Sequence, residues 1–144
     1  MIDAALVARK ALLITRDLTD LAPLAQKALA DYLSDPRDEL VAERLLERII
    51  GRMIDVNYHL LIETGHPPPA DYYASFVQLT ALGVYDAEFG RRVAACAGLR
   101  NRIVHEYDEL EPSKVHEALR SAMRDLPIYL RAIDSYVQRV SRAG

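Results

Sequence analysis

From Val115 onward, Leu119, Ala122, Leu126, Leu130, Ile133, Val137 and Val140 recur three or four positions apart. That spacing stacks side chains on one side of an α-helix and cannot be laid along one face of a strand, where the repeat is two. Leu45, Leu46, Ile49, Ile50, Met53 and Ile54 follow the same rule and define a second broad apolar face. No segment alternates apolar and polar residues as a half-buried strand would. The fold class implied is all-α.

Prolines and aspartates punctuate this pattern. A first helix is expected from near Asp3 toward Tyr32, kinked or restarted at Pro23, because proline removes an amide donor and crowds the preceding turn. Ser34-Asp35-Pro36 ends it and begins a second, with Asp35 as the cap and Pro36 at the first helical position, running to about Glu63. Gly65-His66-Pro67-Pro68-Pro69 cannot continue a helix. Asp71 then caps a short third helix that Leu82-Gly83 stops, and Asp86 caps a fourth. Pro112 and Ser113 open the last helix, whose apolar stripe survives Pro127. The expectation is a bundle of about five helices, a single domain over residues 1–144, with no internal repeat.

The chain has 144 residues, enough to bury a core unaided. No apolar run approaches the length that crosses a bilayer, and the N-terminus lacks a signal-peptide layout, so a cytoplasmic protein without membrane association is expected. Cys96 is the single cysteine, which excludes an intramolecular disulfide and a thiolate zinc site. A net charge of −3 argues against indiscriminate coating of nucleic acid. The distribution is uneven, however. Between Asp86 and His105, four arginines (Arg91, Arg92, Arg100, Arg102) stand against two acids, and Lys10, Lys27 and Lys114 are the only lysines among 18 basic residues. Arginine's planar fork suits phosphate.

The candidate chemistry lies in Arg100-Asn101-Arg102-Ile103-Val104-His105-Glu106-Tyr107. A permanently charged guanidinium can stabilise the extra negative charge of a five-coordinate phosphate, and an imidazole can carry a proton to or from a ribose oxygen near neutral pH. On an ideal helix Arg100 and His105 point about 140° apart, whereas Arg102 and His105 differ by about 60°. One straight helix therefore does not converge Arg100 and His105 on one atom. Either the helix ends or distorts between them, or a second copy supplies partners across a two-fold axis. Upstream, Ala94-Ala95-Cys96-Ala97-Gly98 is a run of small residues that either packs tightly within the monomer or forms a dimer seam. Elsewhere, Asp55 and His59 suggest a buried hydrogen bond, His66 a loop residue and His116 a solvated one. Arg44, Arg48 and Arg52 form a ridge that reads chiefly as a solvated face.

The motif, its flank Ala97-Gly98-Leu99 to Glu106-Tyr107-Asp108, and the stretch from Glu43-Arg44-Leu45-Leu46 to Asn57-Tyr58-His59-Leu60 ahead of it resemble the HEPN superfamily. Within it, the chain is similar to the HepT-like toxins of toxin-antitoxin pairs. The resemblance implies a homodimer whose site lies between protomers, with Arg100 and His105 catalytic and Asn101 and Arg102 supporting or binding RNA. It implies a metal-independent endoribonuclease without cofactor, in which a 2′-hydroxyl attacks the adjacent phosphorus; DNA lacks that nucleophile. It also implies a partner on a separate chain, an MNT-type (minimal nucleotidyltransferase) antitoxin that adenylylates Tyr107. The alternative is a HEPN interaction module that binds RNA or nucleotide and a partner protein without strong nuclease activity.

Overall fold

In the computed structural model, which describes residues 1–143, six α-helices follow one another: α1 (Ala4–Gln26), α2 (Leu29–Ser34), α3 (Pro36–Glu63), α4 (Tyr72–Val77), α5 (Ala87–His105) and α6 (Pro112–Ala143). Short 3-10 turns cover Gln78–Leu82 and Tyr107–Glu109. Aspartate starts four of the helices. Asp3, Asp35, Asp71 and Asp86 accept from the amides of Leu6, Arg37, Ala74 and Phe89 at 3.0, 3.0, 2.7 and 2.8 Å, each such cap contributing about 1 kcal/mol. Glycine ends two elements. Gly65 (φ 89°) and Gly83 (φ 79°) adopt the left-handed conformation that closes a helix. At Gly65 the His66 amide returns to the Leu61 carbonyl at 2.9 Å, and at Gly83 the Val84 amide returns to Leu79 at 3.3 Å.

The centre is α3, which touches each of the other helices. Its Ile49, Met53, Leu60 and Leu61 are fully enclosed, because a helix surrounded on several sides buries more than one stripe. A polar cluster sits inside this core. Tyr129 of α6 donates its hydroxyl to Asn57 Oδ1 at 2.6 Å, with the Met53 carbonyl 3.2 Å away; Asn57 Nδ2 donates to Ser75 Oγ at 3.1 Å, and Ser75 donates to the Tyr72 carbonyl at 2.6 Å. The cluster joins α3, α4 and α6 with its groups satisfied internally, as burial demands.

The expected first helix is two. Pro23 is accommodated within α1, and the chain breaks instead at Lys27, whose backbone is extended (ψ 143°). Helix α6 stabilises that break. Nε2 of His116 lies 2.8 Å from the Lys27 carbonyl, and Arg120 Nε donates to the Ala25 carbonyl at 3.4 Å, so carbonyls orphaned at a helix end find partners. His116 is therefore buried against Tyr32, ring centroids 4.9 Å apart, and not solvated. The arginine ridge also differs from expectation. Arg48 and Arg52 reach the buried carboxylate of Asp17 on α1 at 3.1 and 2.8 Å, leaving Arg44, paired with Glu47, as the solvated member. Asp55 and His59 do not bond to each other. Asp55 pairs with Lys10 at 2.9 Å, and His59 Nε2 accepts from the Asp3 amide at 2.9 Å. His66 is exposed in its loop, near Thr64.

Among the described residues no helix is long and apolar enough to cross a membrane.

Candidate active site

Helix α5 presents the motif at its C-terminal end. Phe89, Val93, Ala94, Ala97 and Ile103 form the face it buries, which turns the intervening polar positions outward. Of the small-residue run, Ala94 and Ala97 pack inward, while Ala95 is exposed and Cys96 and Gly98 are partly covered. The helix stays regular through His105. The Glu106 amide donates to the Arg102 carbonyl at 2.8 Å, four residues back, before Glu106 (φ −131°, ψ 33°) ends the helix and the 3-10 turn begins. Helical distortion thus does not bring Arg100 and His105 together. Arg102 and His105, in the last turn, place positive charge where the helix dipole favours it.

The motif side chains diverge. Arg100 is half-buried and turns toward α4, its guanidinium carbon 5.2 Å from the centroid of the Tyr72 ring. Its Nη1 makes a long hydrogen bond to Asn101 Oδ1, 3.4 Å. Arg102 folds back along α5 over Gly98, where a Cβ would lie 3.6 Å from its Nη1. Asn101, Arg102, His105 and Tyr107 are exposed, Tyr107 at 63 %. Among the described residues Arg100 has no carboxylate partner, and the Arg102, His105 and Tyr107 side chains have neither hydrogen bond nor ion pair. The end of α5 therefore carries two uncompensated guanidinium groups, an imidazole and a phenol, all accessible from outside.

The family model described as "Ribonuclease HepT-like" matches residues 13–133. A curated protein named tRNA nuclease HepT, from Aphanizomenon flos-aquae (strain 2012/KM1/D3), is 36% identical over 125 residues, covering 87% of this chain and 85% of that protein. The chain belongs to the HepT-like family. A solved structure titled "Crystal structure of the toxin-antitoxin with AMP-PNP" superposes with a TM-score of 0.80 at 18% identity, over 91% of this chain and 99% of that one, so this HepT-like chain shares its fold.

Beside the motif, the HepT-like bundle opens between α5 and α6 into a groove of about 560 Å³, walled by Cys96, Leu99, Leu110 and Val115 and reached by Arg102 and Asp125. Asp125, buried on α6, lies between Arg92 at 3.3 Å and Arg124 at 3.1 Å. Burial, reinforced by the negative charge of Asp125, pushes the Cys96 thiol up to about 12, so it is protonated and unreactive at neutral pH. Neither Asp125 nor Tyr72 was singled out from the sequence. Asp125 left a signal, since helical spacing sets this acid beside the apolar stripe of the last helix, three residues after Ala122 and next to Leu126. Tyr72 left none, because its relation to Arg100 exists only once α4 packs on α5.

Proposed function

We propose that this chain is the toxin of a toxin-antitoxin pair, a metal-independent endoribonuclease acting in the cytoplasm as a homodimer. The observation that carries this reading is the set of Arg100, Arg102 and His105 at the end of α5, none of them paired with a carboxylate among the described residues, in a HepT-like chain. Because α5 runs straight to His105, one copy does not converge its own Arg100 and His105; a two-fold axis would bring two motifs to one cleft. In that cleft His105 of one protomer removes the proton from an RNA 2′-hydroxyl, and the oxygen attacks the adjacent phosphorus. The P–O5′ bond breaks, and the other protomer's His105 returns a proton to the leaving 5′ oxygen. The products are a 2′,3′-cyclic phosphate and a free 5′-hydroxyl. Arg100 stabilises the charge that accumulates on the phosphoryl oxygens. Asn101 orients Arg100 or a phosphate oxygen, and Arg102 binds the RNA backbone. No step calls for a metal.

Tyr107 is the control point in this reading. Its phenol stands two residues beyond His105 and is open to solvent. Adenylylation by an MNT-type nucleotidyltransferase antitoxin would put an anionic phosphodiester and an adenosine where RNA phosphates must sit, blocking by repulsion and bulk. Two likenesses support the reading: one relative is named a tRNA nuclease, and the structural neighbour's title joins a toxin, an antitoxin and an ATP analogue. tRNA is accordingly the substrate to try first. The decisive experiment incubates the parent protein and H105A with tRNA in EDTA and analyses the product ends. Cleavage by the parent alone, with cyclic phosphates, is expected; equal behaviour of the two proteins overturns the reading.

A further inference from the structure

Most arginines that contact other groups in this molecule meet a carboxylate or a backbone carbonyl, and Arg139, which also stacks on a ring, that of Tyr136, donates to the Gly83 carbonyl at 3.0 Å. Arg48 and Arg52 share the carboxylate of Asp17, and Arg92 and Arg124 share Asp125. A carboxylate holds a guanidinium firmly but neutralises its charge and occupies its donors. Arg100 instead has the Tyr72 ring, 5.2 Å from ring centroid to guanidinium carbon, and only a long contact to Asn101. An aromatic face attracts a cation through its quadrupole and leaves the positive charge uncompensated. The arrangement restrains a long, flexible side chain while keeping its charge available to something outside the protein.

The ring is itself held. Tyr72 is the first residue of α4, directly after the Asp71 cap. Its carbonyl accepts from Ser75 Oγ at 2.6 Å, and Ser75 is tied through Asn57 to Tyr129 in the fully buried cluster. Its ring meets Tyr58 of α3 edge to face, centroids 6.2 Å apart. A helix of six residues has little rigidity alone. Here the core fixes it at its backbone and at its first side chain. An unbroken series of contacts therefore runs from the buried hydrogen bonds to the aromatic ring and on to the guanidinium.

We propose that Tyr72 is a positioning residue of the site, its ring holding the Arg100 guanidinium in the orientation that meets a phosphoryl group. The proposal rests on the reading that Arg100 stabilises transition-state charge. Without the ring, Arg100 samples many rotamers and reaches the productive one only part of the time. That loss appears in kcat and leaves KM nearly unchanged, because the interaction is made in the transition state.

The test compares kcat, KM and thermal unfolding for the parent, Y72L, Y72F, R100A and the Y72L/R100A double variant on the same RNA. Y72L is expected to lower kcat by roughly 3- to 30-fold, the range a lost cation–π restraint supports, with KM and Tm held. Y72F keeps the ring and is expected to recover most of that loss. On the R100A background Y72L should cost almost nothing, since the two residues act through one group. A parental kcat for Y72L overturns the proposal, as does an equal loss with and without Arg100. If R100A alone retains full activity, the reading of Arg100 fails and the proposal falls with it, a pattern visible in that single variant. Should Y72L unfold, Y72M fills the same space with a flexible apolar side chain and gives the same readings.

Discussion

The buried cluster of Asn57, Ser75 and Tyr129 and the exposed end of α5 both gather polar groups without pairing them to acids. In the cluster each group finds its partner inside the protein, with distances down to 2.6 Å. At the end of α5 the groups do not: Arg102, His105 and Tyr107 have no internal partner among the described residues, and Arg100 has a ring and a 3.4 Å contact. The first arrangement serves the fold, since an unsatisfied buried group costs about 1–3 kcal/mol. The second contributes little to the fold beyond complementing the dipole of α5, and water satisfies its groups at no penalty. The difference separates polar residues that hold the structure from those left available to an outside partner.

The largest expected effect tests that separation directly. R100A and H105A should each lower the cleavage rate by roughly 10²-fold or more, while urea or thermal unfolding shifts by no more than about 0.5 kcal/mol for the exposed His105 and about 1 kcal/mol for the half-buried Arg100, which leaves the Tyr72 ring. Assaying both quantities on the same preparations is the check. A variant that loses activity and stability together would place the motif on the structural side of the comparison.

Alkaline pH should attack the opposite region. Burial raises the phenols of Tyr32, Tyr85 and Tyr129 above their ordinary value near 10, and the Cys96 thiol from 9.0 to about 12. A group whose folded value is raised contributes stability fully below its unfolded value and loses it as pH climbs toward the folded one. Each such group then costs about 1.4 kcal/mol per pH unit across that window. Melting temperature is therefore expected to decline first above pH 9, through Cys96, and more steeply above pH 10. C96A should remove the first part alone. A melting temperature flat from pH 8.5 to 11 would contradict the burial of these groups.

Replacing Tyr129 by Phe is the next step down in size. It leaves Asn57 Oδ1 buried without its donor and should cost about 1–3 kcal/mol of stability. The ring remains, still facing Phe76 at 6.2 Å between centroids. Activity per folded molecule should be retained at temperatures where the variant is native, which equilibrium denaturation and a parallel cleavage assay would establish.

How far the sequence reveals this protein follows from the range of the forces involved. The caps at Asp35, Asp71 and Asp86 and the stop at Gly83 act within a few residues, and all four are legible because the residue type is itself the cause. The break at Lys27 is not legible, since it is stabilised by His116, 89 positions away in the chain. The same holds for Asp17 with Arg48 and Arg52, separated by 31 and 35 positions. There a ridge of arginines looked solvated because its carboxylate lies on another helix. At the candidate site, Arg100, Asn101, Arg102, His105 and Tyr107 could be named from one segment. Tyr72 could not, because it belongs to a helix brought alongside by packing. The regularity of α5 through His105 resolves the alternative that spacing left open between a distorted helix and a straight one.

Asn101 offers the smallest effect and the finest test of the comparison. Its Oδ1 accepts from Arg100 at 3.4 Å in an exposed setting, longer and less enclosed than any bond of the buried cluster. A bond of that kind contributes little to holding Arg100, so N101A should reduce kcat only about two- to five-fold, corresponding to a weak solvent-competed hydrogen bond. N101D makes the opposite demand. A carboxylate at this position would hold the guanidinium more tightly but oppose the RNA phosphate, through both its own charge and the charge it neutralises. KM should therefore rise for N101D and stay constant for N101A, with both proteins as stable as the parent. If N101A instead lost as much activity as R100A, Asn101 would be acting on the substrate directly and not through the guanidinium, whose orientation would still be owed to the aromatic ring beneath it.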